Sequence, residues 1–247
     1  MKRTSLIPCF TKTLQSVLLL CGLTAAAQAA VITPTFDTFG AFPTATWNGN
    51  GIPNDAVAIS LDTDLGITLA LSAHGRYNNP TLTNDKKGTF FALPGKNTPV
   101  NNGSEGALWN FNFYVDIPTT TDLSLYSFKL FYDFDPAVGN SQDSHGVIDL
   151  NPAFLQFGST LQDSFNLQFN FLSNNVLPNV TAPIFNSFDA NSTGQYSFAL
   201  VAFRSDFEYM RSAILVEVGT SSVPVPAPAT IALLAGGLVL LQLRKRK

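Results

Sequence analysis

The sequence predicts an all-β fold: a single antiparallel β-sandwich, jelly-roll-like, with an N-terminal signal peptide and one C-terminal transmembrane helix. Three observations predict it. Aromatic and aliphatic residues alternate with polar ones in several short runs, the period of a half-buried strand. Gly, Pro, Asn and Asp punctuate those runs at intervals of about ten to twenty residues. Helical periodicity is nearly absent between the two ends. Each strand carries one aromatic face, so two such faces should meet to form the core. Each buried Phe then contributes about 1.5–3 kcal/mol. The chain divides into residues 1–29, 30–222 and 223–247, with no internal repeat and no composition break in the middle segment.

The first segment reads as an export signal. Lys2, Arg3 and Lys12 form a basic region, and residues 17–23 a short apolar core. Ala27 and Ala29 place small side chains where a signal peptidase reads, with Ala30 as the mature start. Both cysteines, Cys9 and Cys21, fall inside it. The exported chain therefore has no disulfide, thiolate nucleophile or cysteine metal ligand, and must rest on its hydrophobic core. Residues 30–222 hold seven basic and all 17 acidic side chains, a net charge of −10. Such a body repels phosphate backbones, which excludes nucleic acid as a partner.

Residues 31–54 read as an extended lead-in with isolated Phe36, Phe39, Phe42 and Trp47. Residues 56–61 and 66–73 form a hairpin-like pair around Asp62-Thr63-Asp64, residues 89–93 a further strand, and 94–106 a surface loop. From 108 to 117 the odd positions Trp109, Phe111, Phe113, Val115 and Ile117 are apolar. From 126 to 134 the even positions Tyr126, Phe128, Leu130, Tyr132 and Phe134 are. Phe165, Leu167, Phe169 and Phe171 alternate most cleanly of all. Two more strands are expected at 196–203 and 213–218, and a helical turn or two at 154–161 and 207–211.

Candidate chemistry is sparse. Asp133, Asp135, Asn140 and Asp143 offer oxygen ligands for a calcium ion, although Asp, Asn and Pro at a strand end also make ordinary turns. Trp47 and Tyr114 are the expected exposed aromatic pair for sugar stacking, as in a carbohydrate-binding module, whereas Trp109 is in phase with the core. His74 and His145 lie in polar text and are expected to be solvated, with no accompanying catalytic motif. A secreted glycoside hydrolase would need two facing carboxylates, which any chain with 17 acids can supply nominally.

The last 25 residues carry the sharpest signal. Pro224, Pro226 and Pro228 fix φ and remove donors, so this stretch is extended. Residues 223–243 are 21 positions without a charge, close to the length of a spanning helix. Arg244, Lys245, Arg246 and Lys247 then belong on the cytoplasmic side, leaving the body outside. Signal peptide, cysteine-free body, Pro-rich motif, short apolar segment and basic cluster together resemble the PEP-CTERM family of bacterial exported proteins. Val223, Pro224, Val225, Pro226 and Ala227 resemble that family's variant motif Val-Pro-x-Pro-Ala, with Val225 where the commoner form has Glu. Residues 68–80 and 130–136 also resemble uncharacterised cargo of the family.

The resemblance implies that the tail is a sorting signal read by a membrane-embedded exosortase-type enzyme, in bacteria that make exopolysaccharide. The expectation is a non-catalytic cell-surface or matrix protein, with no cofactor beyond a calcium ion at the acidic loop. Its partners would be signal peptidase, the sorting enzyme, the membrane through its C-terminal helix, and exopolysaccharide.

Overall fold

The computed structural model describes residues 30–47, 54–77, 81–97, 105–185 and 187–219. The expected signal peptide with Ala27 and Ala29, and the tail with its expected sorting motif and basic cluster, lie outside the described residues.

The described chain is all-β. Its strands are β1 (Thr38–Gly40), β2 (Val57–Leu61), β3 (Thr68–Gly75), β4 (Thr83–Asn84), β5 (Thr89–Ala92), β6 (Lys96–Asn97), β7 (Gly106–Ala107) and β8 (Trp109–Asp116). They continue with β9 (Tyr126–Tyr132), β10 (Gly146–Asp149), β11 (Thr160–Phe165), β12 (Val180–Thr181), β13 (Gly194–Arg204) and β14 (Phe207–Val218). One short helix, α1 (Asn151–Phe157), lies between β10 and β11; Pro152 suits its first turn and Gly158, at φ 92°, ends it.

Two sheets carry the fold. One has the order β1-β2-β3-β8-β11 and the other β12-β10-β9-β13-β14-β5-β4, while β6 and β7 form a separate ribbon. Alternation decides what faces inward. Trp109, Phe111, Phe113 and Val115 of β8 meet Tyr196, Phe198 and Leu200 of β13 and Tyr126, Phe128, Leu130 and Tyr132 of β9 in one buried cluster. The rings of Phe111 and Phe198 stack across the interlayer with centroids 4.5 Å apart, and Trp109 meets Phe198 edge-on at 6.1 Å. Such pairs contribute beyond the area they bury.

The sheets close at one edge and gape at the other. Where β2 faces β14, the Ser60 hydroxyl donates to the Arg211 carbonyl at 2.6 Å and the Ser212 hydroxyl to the Ala58 carbonyl at 2.9 Å. These small side chains let the two backbones approach and stitch them together. At the opposite edge, β11 ends one sheet and β10 with β12 borders the other. The chain crosses between them through α1.

The lead-in clasps both outer faces. Ile32 packs with Phe131, Ala199, Val201 and Ala213 on the outside of the larger sheet. Thr35 exchanges two backbone hydrogen bonds with Ala213, at 3.1 and 2.7 Å. After β1 pairs with β2, Phe42, Ala45 and Trp47 cover Val57, Ala70 and Tyr114 on the outside of the smaller sheet.

Three expectations give way here. The sandwich is not wholly antiparallel, because β5 runs parallel to β14, Thr89 opposite Leu215 and Ala92 opposite Val218. The clean alternation from Phe165 to Phe171 is a strand only at its first residue. The buried Asn166 amide donates to the carbonyls of Ala107 and Trp109 and accepts from the backbone N–H groups of Ala107 and Gln168. That side chain replaces strand pairing with a turn, and Phe169 and Phe171 fold back onto Phe165, with centroids 6.4 and 5.4 Å from its ring. Residues 207–211 begin β14 instead of a helical turn. Ser205 and Asp206, at φ 48° and 66°, make a tight hairpin turn whose twist matches the strands on either side.

Replacing Phe111 by Ala should lower unfolding stability by about 3–5 kcal/mol, the cost of a buried aromatic cavity. Phe207→Ala, at a ring 79% exposed, should change it by no more than about 0.5 kcal/mol. Urea denaturation of the two variants checks the contrast.

Candidate functional site

The expected sugar-stacking pair is buried. Trp47 is 2% exposed and Tyr114 4%. Their rings meet edge-on at 6.3 Å, and Phe42 meets Tyr114 at 4.9 Å. Tyr114 does point away from the main core, as its register requires, but the lead-in covers that face. A face sealed by another part of the chain offers no platform.

The expected calcium ligands do not form a cage. Asn140 turns its amide nitrogen toward the loop, donating to Asp133 Oδ2 at 3.0 Å and to the Asp135 carbonyl at 2.8 Å. Asp133 Oδ1 accepts from the Asp135 N–H, and Asp135 Oδ1 from the Ala137 N–H. Asp143 is exposed in the turn 142–144. The four residues make nested turns, with donors where a cation would need oxygen. Among the described residues, no group of three or more His, Asp or Glu side chains is placed to hold a metal ion.

Both histidines are buried, contrary to expectation. His74 lies inside β3 and bridges to Thr81. His145 belongs to an arrangement the sequence did not announce. Its Nδ1 is 3.0 Å from the Ser141 carbonyl, which can only accept, so Nδ1 carries a proton. Its Nε2 is 2.7 Å from Ser197 Oγ, which lies 3.3 Å from Asp133 Oδ2. Asp133 Oδ2 is itself 3.6 Å from Nε2, so Asp133, Ser197 and His145 form a compact triangle under the loop joining β9 to β10.

This wiring is not that of a nucleophilic triad, in which carboxylate and serine bond opposite nitrogens of the imidazole. Here the backbone takes Nδ1, while serine and carboxylate converge on Nε2. The Ser197 hydroxyl is buried, so it offers no attack position. Burial raises the Asp133 carboxyl and lowers the His145 imidazole, although each charge would favour the other. The Ser197 hydroxyl donates to Asp133 Oδ2 and ties the carboxyl to the imidazole edge. The cluster clamps the turn that receives the start of the body, since the Gln142 N–H donates to the Ala30 carbonyl and Gln142 Oε1 accepts from Arg211. Ser197 carries no signal in the sequence, being one polar residue on the outward face of a strand.

Two depressions have the form of ligand sites. One, of about 490 Å³, opens between the sheets at the gaping edge. Phe113, Leu161 and Phe165 line it from one sheet, Ile148 and Val180 from the other, and Ala153 and Phe157 from α1. Thr160, Gln162, Asp163 and Asn179 are its polar members. The second, of about 480 Å³, is a shallow groove at the stitched edge, lined by Phe36, Asp37, Asp62, Glu208, Tyr209 and Arg211 among others. Arg211 grips Glu208 through two nitrogens, at 2.8 and 2.6 Å. The Tyr209 hydroxyl donates to Asp62, whose carboxylate falls below its ordinary value while the phenol is pushed up to about 12. In comparisons with family models, curated proteins and solved structures, nothing matches the chain.

The buried cluster makes a pH prediction. Below His145's ordinary 6.5 the unfolded chain gains a proton on this histidine. The raised Asp133 carboxyl acts in the opposite direction, because the folded state binds a proton there above the carboxyl's ordinary 3.8, and so it offsets part of the resulting loss of stability. In Asp133→Asn the folded cluster has no carboxyl to hold that proton, and buried His145 resists it. The variant should therefore lose stability relative to the parent as pH falls from 6.5 toward 5, by up to about 1.4 kcal/mol per pH unit. Urea midpoints of both proteins at pH 7, 6 and 5 measure the difference.

Proposed function

We propose that this is an exported, non-catalytic cell-surface or extracellular-matrix protein of a bacterium. In this reading its jelly-roll-like β-sandwich is carried out by the signal at 1–29, sorted through residues 223–247 by an exosortase-type enzyme, and associated with exopolysaccharide or a biofilm. The observation that carries it is the order of parts in the tail: Pro-rich motif, apolar segment without charge, basic cluster.

The body's geometry is compatible with display. The last strand ends at Val218, and the Gly219 N–H still bonds the Ala92 carbonyl. Ala229 is ten residue steps beyond Gly219, a reach of at most about 36 Å. A tail held in a membrane would therefore keep that end of the sandwich close to the surface. The 12 residues of β14 run to the opposite end, about 40 Å away at the rise of an antiparallel strand. There the β13–β14 hairpin presents Phe207, Tyr209 and Arg204.

Carbohydrate binding is the second reading, and it moves to the groove of Tyr209. An exposed phenol ring, carboxylates that accept from hydroxyls and a guanidinium that donates to them are the groups a sugar requires. These surround one open groove near the displayed end.

Mass spectrometry of the mature protein, in cells with an active exosortase, should find a C-terminus upstream of the apolar segment. An intact tail ending at Lys247 would leave only a membrane anchor. For the second reading, Tyr209→Ala should weaken any glycan binding seen on an array by about ten-fold or more without lowering Tm by more than a few degrees, in line with the loss of one stacking ring. Unchanged binding would remove the groove from consideration.

A further inference from the structure

The cleft at the gaping edge carries an inference about the body alone, which stands whether or not the tail is processed. Its walls come from both sheets and from α1, so it is a gap between layers and not a surface dimple. At about 490 Å³ it falls in the ordinary range for small-molecule sites. Phe113, Leu161 and Phe165 on one side and Ile148 on the other give it an apolar interior.

Of its four polar members, Thr160, Gln162, Asp163 and Asn179, one is ionisable. Asp163 pairs with Phe113 in the β8–β11 register, between the pairs Leu161 with Val115 and Phe165 with Phe111. Val115, Phe111 and Phe113 all belong to the core. Asp163 is therefore placed at an inward position of its strand, where alternation calls for an apolar residue, and it is half-buried in the cleft lining. Its Oδ1 accepts from the adjacent Ser164 N–H at 2.7 Å. Among the described residues lining the cleft it is the one ionisable group. A carboxylate beside apolar walls favours a cation whose remainder is apolar, because the low-dielectric surroundings strengthen the pairing. The net charge of −10 over residues 30–222 adds a long-range field of the same sign.

We propose that the inter-sheet cleft binds a small amphiphilic cation, its apolar body between the sheets and its ammonium group at Asp163. The ligand is a free small molecule of this chemistry, held by burial of its apolar part and oriented by the charge.

Three probes of matched size separate the terms: 4-phenylbutylamine, 4-phenylbutanol and 4-phenylbutyrate, titrated into the full chain by calorimetry or ligand-observed NMR. The amine should bind about ten-fold more tightly than the alcohol, the margin of one charge-assisted contact, and the carboxylate more weakly than either. Asp163→Asn should bring the amine down to the alcohol's affinity. Ala153→Trp, which fills the cleft from α1, should abolish binding of both. Equal binding of amine and alcohol by the parent protein, an amine preference that survives Asp163→Asn, or no binding by any probe would overturn the proposal. Should Ala153→Trp fail to fold, Asp163→Asn decides alone, since it is nearly isosteric at a half-exposed position.

Discussion

The stacking of Phe111 on Phe198 across the interlayer, centroids 4.5 Å apart, is the contact on which the rest of the structure depends. It joins the β8 strand of one sheet to the β13 strand of the other, and Trp109, Tyr196 and Phe188 extend the aromatic layer around it. With no cysteine after residue 21, the body has no covalent staple. The apolar area removed from water must then outweigh the chain entropy lost on folding, and large rings supply more of it per residue than aliphatic side chains do.

The same layer explains where ligand-sized space exists. Two twisted sheets cannot stay in contact along both edges unless side-chain size is adjusted to the gap. Where β2 meets β14, the inward residues are Ala58, Ser60 and Ser212, so the backbones come close and are bridged by hydroxyls. At β11 and β10 the inward residues are Phe, Leu, Ile and one Asp, and a helix spans the opening. The core is thus tight at one side and open at the other, and the apolar cleft is a consequence of that taper.

Alternation at 108–117 and 126–134 sets Trp109, Phe111, Phe128 and Leu130 on the inward faces they occupy, and the strands expected at 196–203 and 213–218 fall within β13 and β14. The same rule misread residues 165–171, because alternation records only that apolar residues are two apart. It does not register that the Asn166 amide would take over the backbone's hydrogen bonds. Tyr114 was placed on the correct face and given the wrong environment, since nothing local says that residues 42–47 will lie across it. The Asp133–Ser197–His145 cluster was illegible for a related reason: Asp133 and Ser197 are 64 positions apart, and the register of β9 against β13 brings them together.

By itself the sequence determined the fold class, the strand faces and the chemistry of the ends, because these follow from local period and composition. An alternating strand buries one face wherever it packs, and a segment without cysteine, such as residues 30–222, forms no disulfide in any fold. Only the tertiary structure decided which outward faces are covered, which edges close and which polar groups meet in the interior. Those outcomes depend on strand order and register between residues far apart in the chain, and side-chain burial is a property of the neighbours a residue acquires.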